Sequence, residues 1–181
     1  PVFNDWDAFR ILINQISKTF ANKDIQIKVI AVDDSSTIKN YPKEFSYLKN
    51  IKVEILRLKN NLGHQRAIAV GLCEVFNQKY FDGVIVMDSD GEDKVDDILA
   101  LINNDNSSIV VAKRSTRSEG LKFLTFYKLY KLIFKILSGK VIDFGNFCYI
   151  PIHILENLIY SPNIWNHLAA SIVRSNFKLK K

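Results

Sequence analysis

The decisive stretch is Val84-Ile85-Val86-Met87-Asp88-Ser89-Asp90-Gly91-Glu92-Asp93, an apolar run that ends on two carboxylates one residue apart. In an α/β protein such a run is a buried strand, and its carboxyl end opens on the sheet edge where ligands bind. Side chains at i and i+2 of an extended segment point the same way. Asp88 and Asp90 are therefore placed to share one hard divalent cation, with Glu92 next in line. A cation at that edge suggests a phosphate-bearing ligand. The plainer reading of the same residues is an acidic turn capping the next helix, since Asp93 precedes the helical spacing of Val95, Ile98, Leu99 and Ile102.

A second strand ends the same way. Gln26 to Val32 is strand-like and runs into Asp33-Asp34-Ser35-Ser36. Carboxylates delivered by two strands to one edge of a parallel sheet repel each other unless a cation, a ribose or a nucleobase sits between them. The alternative for Asp33 to Ser36 is a helix N-cap or an Asx turn. Between the two strand ends, Asn60-Asn61-Leu62-Gly63-His64-Gln65-Arg66-Ala67 follows the strand Val53 to Leu58, turns at Asn61 and Gly63, and enters a helix. Backbone amides and Arg66 near that helix N-terminus suit an anion. Ala67, Ala69 and Gly71 equally permit close helix–sheet packing, and His64 reads as a capping or packing residue.

The element order predicts an α/β chain with a mostly parallel, doubly wound sheet flanked by helices. It runs helix Trp6 to Phe20, strand 26 to 32, strand 53 to 58, helix 64 to 77, strand 84 to 87, helix 95 to 102 and strand 109 to 112. A helical stretch follows from Leu121 to Leu137, then a short strand Phe147 to Ile150 and helices near 153 to 160 and 165 to 175. With 181 residues, 48% of them hydrophobic, the chain reads as one domain over 1–181, without repeats or a linker. It holds no uncharged apolar run of about 20 residues and nothing resembling a signal peptide. Cys73 and Cys148 lack metal-ligand spacing and read as reduced thiols of a cytoplasmic protein. Both ends look cut. Pro1 opens in the middle of a motif whose preceding strand would supply the first element of the sheet, and Phe177 to Lys181 reads as a strand just starting.

Taken in order, Pro1-Val2-Phe3-Asn4-Asp5, Val32-Asp33-Asp34-Ser35-Ser36, Asn61-Leu62-Gly63-His64-Gln65-Arg66-Ala67, Met87-Asp88-Ser89-Asp90-Gly91-Glu92-Asp93 and Val111-Ala112-Lys113-Arg114-Ser115 resemble the family 2 glycosyltransferases of the GT-A fold. Within them they resemble especially the branch containing dolichol-phosphate mannosyltransferase and the bacterial polyprenyl-phosphate sugar transferases. It covers Pro1 to about Pro151.

The resemblance implies roles. Pro1, Asp5, Asp33 and Asp34 fall where the family holds the nucleoside of a UDP-, GDP- or dTDP-sugar, with Arg66, Asp88 and Ser89 completing the nucleotide site. Asp88, Asp90 and Glu92 fall on the metal motif, for Mg2+ or Mn2+ bridging the donor diphosphate; many relatives carry Gln where Glu92 stands. Arg114 falls on the cation that neutralises the leaving diphosphate. The segment Val141 to Pro151 resembles the acceptor-side block, but with Asn146 where some relatives have Asp and Cys148 where most have Arg. Asp143 remains the candidate base, and a phosphate acceptor would need none. The implied acceptor is a polyprenyl phosphate or a glycan, and no nucleic-acid partner is expected. Lys128, Lys131 and Lys135 share one face of the aromatic helical stretch. With the net charge of +6, they suggest contact with the cytoplasmic face of a membrane. Rival readings of the same residues are a haloacid-dehalogenase-like phosphatase with Asp88 as nucleophile, a receiver-type signalling domain, and a non-catalytic glycosyltransferase-like subunit.

Overall fold

The computed structural model describes residues 1–38, 45, 48, 50–103, 106–113 and 143–181. The stretch 121–137, with Lys128, Lys131 and Lys135, and Arg114 lie outside the described residues.

The first helix, α1 (Trp6–Thr19), buries Trp6, Phe9, Leu12, Ile13 and Ile16, one stripe at helical spacing, while Asp7 in its first turn and Lys18 in its last suit the helix dipole. Strand β1 (Ile27–Asp33) pairs in parallel with β2 (Ile51–Arg57), Asp33 opposite Arg57. Helix α2 (His64–Gln78) follows, then β3 (Gly83–Val86), α3 (Asp97–Ile102), β4 (Ile109–Lys113), β5 (Phe144–Pro151), α4 (Ile152–Ile159), a 3-10 turn Pro162–Trp165, α5 (Leu168–Arg174) and the short β6 (Leu179–Lys180). The second sheet runs β3-β5-β4-β6. Val2 joins the carboxyl end of β1 through a parallel bridge, its N–H donating to Val32 at 2.8 Å and its carbonyl accepting from Asp34 N–H at 2.8 Å.

Alternation along the strands covers both faces. On β5, Phe144, Cys148 and Ile150 pack with Ala69, Leu72, Leu155 and Leu168 of α2, α4 and α5. Phe147 and Tyr149 point the other way, into the core of α1 and α3 with Trp6, Ile13, Ile98 and Leu101. The result is a helix–sheet–helix sandwich. Ala67 and Ala69 are fully buried, and a Cβ on Gly71 would stand 3.0 Å from Val32 Cγ2, so the small residues of α2 do bring helix and sheet together.

Three expectations are corrected. The strand read as Phe147 to Ile150 is eight residues long and antiparallel to both β3 and β4; hydropathy finds strands but carries no sign for their direction. The helix expected at 95 to 102 begins at Asp97, after a tight turn in which Asp97 N–H bonds Lys94 O and Ile98 N–H bonds Val95 O. The helix expected at 165 to 175 is divided into the 3-10 turn and α5, whose N-cap is His167, with Nδ1 accepting from Ala170 N–H at 3.4 Å.

Candidate active site

The antiparallel direction of β5 has a functional consequence. Its first residues lie at the same edge as the last residues of β3 and β4, since Val86 stands opposite Cys148 and Lys113 opposite Phe144. Asp88, Lys113, Asp143 and Asn146 therefore come to one edge. The parallel bridge of Val2 brings Pro1 to it as well, and Ser89 Oγ donates to Pro1 O at 2.8 Å.

Asp88 is the centre of the arrangement. Its Oδ1 is buried and accepts no hydrogen bond, and it lies 3.3 Å from His64 Nε2. The carboxyl group is a third exposed, so it is open to the edge on one side. Gly91 at φ +81 turns the chain back after Asp90, in a left-handed conformation that side chains rarely adopt, and Asp90 Oδ1 accepts Glu92 N–H at 2.9 Å. Asp93 reaches back to accept Asp88 N–H at 2.9 Å. It therefore braces the Asp88–Asp90 turn rather than capping α3, which corrects the plainer reading of the acidic turn. Burial first, and then the charges of Asp88, Asp90 and Glu92, push the Asp93 carboxyl up to about 6.

The fit to a divalent cation is partial. Among the described residues no three His, Cys, Asp or Glu side chains converge as a ready cage. Magnesium and its relatives, however, are held in such sites by one or two carboxylates with substrate phosphates and water completing the shell. A buried carboxylate oxygen without a donor, beside two further exposed carboxylates, suits that chemistry.

At the first acidic strand end the side chains turn inward. Asp33 is fully buried; its Oδ1 accepts Ser36 N–H at 2.8 Å and its Oδ2 lies 3.4 Å from Arg57 Nε. Ser36 Oγ accepts from Asn4 N–H at 2.9 Å and from Trp6 Nε1 at 3.2 Å, and Asn4 Oδ1 accepts from Thr37 N–H at 2.8 Å. The Asp33–Ser36 bond spans three residues within the loop, one more than an Asx turn. Asp34 is also committed: Oδ1 accepts Leu62 N–H at 2.7 Å and Oδ2 accepts Gly63 N–H at 2.9 Å. Those bonds hold the turn that opens α2, where Gly63 at φ +86 is the N-cap. Asp5 is exposed at the N-cap of α1 with no side-chain capping bond, and Arg66 is exposed in the first turn of α2. Asp143 Oδ2 accepts from Lys181 Nζ at 2.7 Å.

Two residues of the site were not legible as such. His64 neither caps α2 nor packs in the core; it is half-exposed and stands between Asp88 and Asn146, with Asn146 Nδ2 at 3.0 Å from its Nε2. Gln65 carries no mark of a role in the sequence, yet its Nε2 donates to Asn146 Oδ1 at 3.2 Å and its Oε1 accepts Leu168 N–H at 2.9 Å. Position 146, read only as a departure from the family pattern, is the hub of this network.

The fold is that of the GT-A class, and a solved structure agrees. A crystal structure of S. aureus TarS 1-349 matches with a TM-score of 0.58 at 17% identity, covering 96% of this chain and 53% of that one. The chain thus spans about half the length of that neighbour. No curated protein matches it significantly in sequence. Residues 1–160 match glycosyl transferase family 2, and the chain belongs to that family. Membership of that family sets aside the phosphatase and receiver readings of Asp88. Among the described residues no helix is long and apolar enough to cross a membrane.

Proposed function

We propose that this single domain is a metal-dependent, inverting hexosyltransferase. It moves a sugar from a UDP-, GDP- or dTDP-sugar to a polyprenyl phosphate or a glycan at the cytoplasmic face of a membrane. The observation that carries the reading is the buried Asp88 Oδ1 without a donor, at the edge where β1, β3, β4 and β5 deliver their polar ends. In this reading Asp88, Asp90 and Glu92 hold Mg2+ or Mn2+, which when bound neutralises the diphosphate as it leaves. Pro1 and Ser89 line the nucleotide with Asp5. Asp33, buried behind its loop, belongs to the same nucleoside end, and Arg66 presents a cation beside the α2 amides. Asp34, with both oxygens spent on Leu62 and Gly63, serves by holding their loop. Arg114 supplies further positive charge to the leaving group. Asp143, at the start of β5, is the acceptor-side carboxylate, a base for a hydroxyl acceptor.

The lipid-phosphate acceptor rests on the resemblance to the dolichol-phosphate mannosyltransferase branch and on the net charge of +6. Salt-sensitive flotation on anionic liposomes, lost when Lys128, Lys131 and Lys135 all become Glu, is its test. The donor is identified by a thermal-shift screen of UDP-, GDP- and dTDP-sugars with and without Mn2+. One base is expected to raise the melting temperature with metal present, and a flat response to all three would refute the donor class.

A further inference from the structure

The first residues of the chain touch both ends of the site. Ser89 Oγ donates to Pro1 O at 2.8 Å, and Val2 is fixed to the end of β1 by two backbone bonds of 2.8 Å. Asn4 then turns to the loop that follows β1. Its Oδ1 accepts three bonds there, from Thr37 N–H at 2.8 Å, Ile38 N–H at 3.2 Å and Thr37 Oγ1 at 3.3 Å. Its own N–H donates to Ser36 Oγ at 2.9 Å. One short side chain therefore holds residues 36–38 against the start of α1, across 33 and 34 positions of sequence.

Unusual backbone accompanies this clamp. Asn4 lies at φ +57 and Ser35 at φ +64, in the left-handed region that Asn tolerates and Ser rarely enters. Such conformations persist where surrounding bonds over-determine them, and they gather at ligand clamps. Here the bonds stand on both sides of Ser35. Asp34 holds Leu62 and Gly63, while Ser36 N–H donates to Asp33 Oδ1 at 2.8 Å and Ser36 O accepts from Arg57 Nη2 at 3.2 Å. Helix α1 forgoes a cap as well. An Asn just ahead of a helix is a natural capping residue, yet Asn4 reaches away to the loop, and the N-cap Asp5 makes no side-chain bond. The side chain serves the loop in preference to the helix.

We propose that Asn4 is a positioning residue for the nucleoside of the donor. By fixing residues 36–38 it preforms the wall beside β1 against which the nucleoside is bound, while Val2 and Pro1 fix the Ser89 end independently. The inference rests on the reading of this strand end as the nucleoside end, whereas the clamp does not. Asp33 and Asp34 are only 0% and 3% exposed, so the loop meets a ligand through its outer residues Thr37 and Ile38, whose placement depends on Asn4. A ligand that needs the ordered loop binds more weakly in proportion to the fraction of molecules in which the loop is disordered.

The test uses the full chain with three uncharged probes, uridine, guanosine and thymidine, and with inorganic pyrophosphate plus Mn2+ as the probe of the other end. Asn4→Gly removes the three accepted bonds, keeps the backbone bond to Ser36 and relieves φ +57. Asn4→Asp keeps both the acceptor and the tolerance of that φ. In Asn4→Gly the Thr37 and Ile38 amides should exchange faster with solvent. The nucleoside that binds the unaltered protein should bind about fivefold more weakly, the factor one net hydrogen bond carries. Pyrophosphate affinity should stay the same. Asn4→Asp should restore slow exchange and nucleoside affinity together, since an added carboxylate does not repel an uncharged probe. A general loosening of the fold would weaken both probes, so equal loss at the two ends would overturn the proposal.

Should Asn4→Gly fail to fold, the unaltered protein answers alone. A nucleoside that binds only the ordered loop must suppress its opening, about fivefold at four times its dissociation constant. Fast exchange of the Thr37 and Ile38 amides, or exchange indifferent to bound nucleoside, would overturn the proposal. So would unchanged nucleoside affinity in a folded Asn4→Gly whose two amides have lost protection, a result that leaves the nucleotide-sugar reading intact. If none of the three nucleosides binds the unaltered protein while its amides are protected, the clamp is structural only, and the donor reading falls with the proposal.

Discussion

Replacing Asp34 separates a structural carboxylate from a ligand-binding one. The side chain is 3% exposed, and its two oxygens each accept a backbone N–H, from Leu62 at 2.7 Å and from Gly63 at 2.9 Å. Hydrogen bonds to a charged group contribute about 1.5–3 kcal/mol each. The two released amides lie in a half-open turn where water can reach them, so the lower end applies and Asp34→Ala is expected to destabilise the fold by about 3 kcal/mol. For a chain of this length that is a fall in Tm of about 6–12 °C. Asp34→Asn keeps one carbonyl acceptor and turns an NH2 against the other amide, so it recovers no more than half. Urea and thermal unfolding measure both variants, with nucleotide affinity measured on the folded fraction. A melting temperature unchanged in Asp34→Ala, together with lost nucleotide affinity, would refute the structural assignment and return Asp34 to the nucleoside.

Gly83→Ala should destabilise by about 2 kcal/mol, the range of overpacking, because a Cβ there would stand 2.4 Å from Tyr149 Cε2 and 2.5 Å from its hydroxyl. Tyr149 cannot swing away freely, being buried and bonded to Asn106 at 2.9 Å, and chemical denaturation with Gly83→Ala/Tyr149→Ala as the relieved pair checks the origin. Asp93 makes stability depend on pH. Its carboxyl rises from the ordinary 3.8 to about 6, so between those values the folded chain binds the proton better than the unfolded one. This contribution is therefore complete below about pH 4 and is lost as pH rises through about 6. Because the group is only half-buried, the change is expected to be about 1 kcal/mol, and Asp93→Asn, which keeps an acceptor for Asp88 N–H, should flatten that slope in chelator-treated protein.

How far the sequence revealed the site follows from what short-range pattern can encode. Asp88 and Asp90 at the end of an apolar run, and Asp33 at the end of another, were legible because a strand end and its polar residues are local. The direction of β5 was not, since alternation of Phe144, Cys148 and Ile150 against Phe147 and Tyr149 is the same read either way. With that direction went the meeting of Asn146 with His64, 82 positions apart, and of Gln65 with Leu168, 103 apart. The neighbouring Gln65 and Asn61-Gly63 turn offered a signal: a Gln in the first turn of a helix that opens at a ligand edge has both a donor and an acceptor to place. The loop bonds of Asp33 and Asp34, to Ser36, Leu62 and Gly63, were not legible either, because a carboxylate at a strand end does not announce in sequence that it also serves its own loop.

The central claim is that Asp88 holds the cation through which a nucleoside diphosphate is bound. Calorimetric titration of the nucleoside diphosphate matching the donor, in Mn2+ and again in EDTA, tests it most directly, with Asp88→Asn as the paired variant. The expected result is binding in Mn2+ that weakens at least about tenfold in EDTA, a difference of about 1.4 kcal/mol, and that no longer responds to metal in Asp88→Asn. Equal affinity with and without metal in the unaltered protein would contradict it.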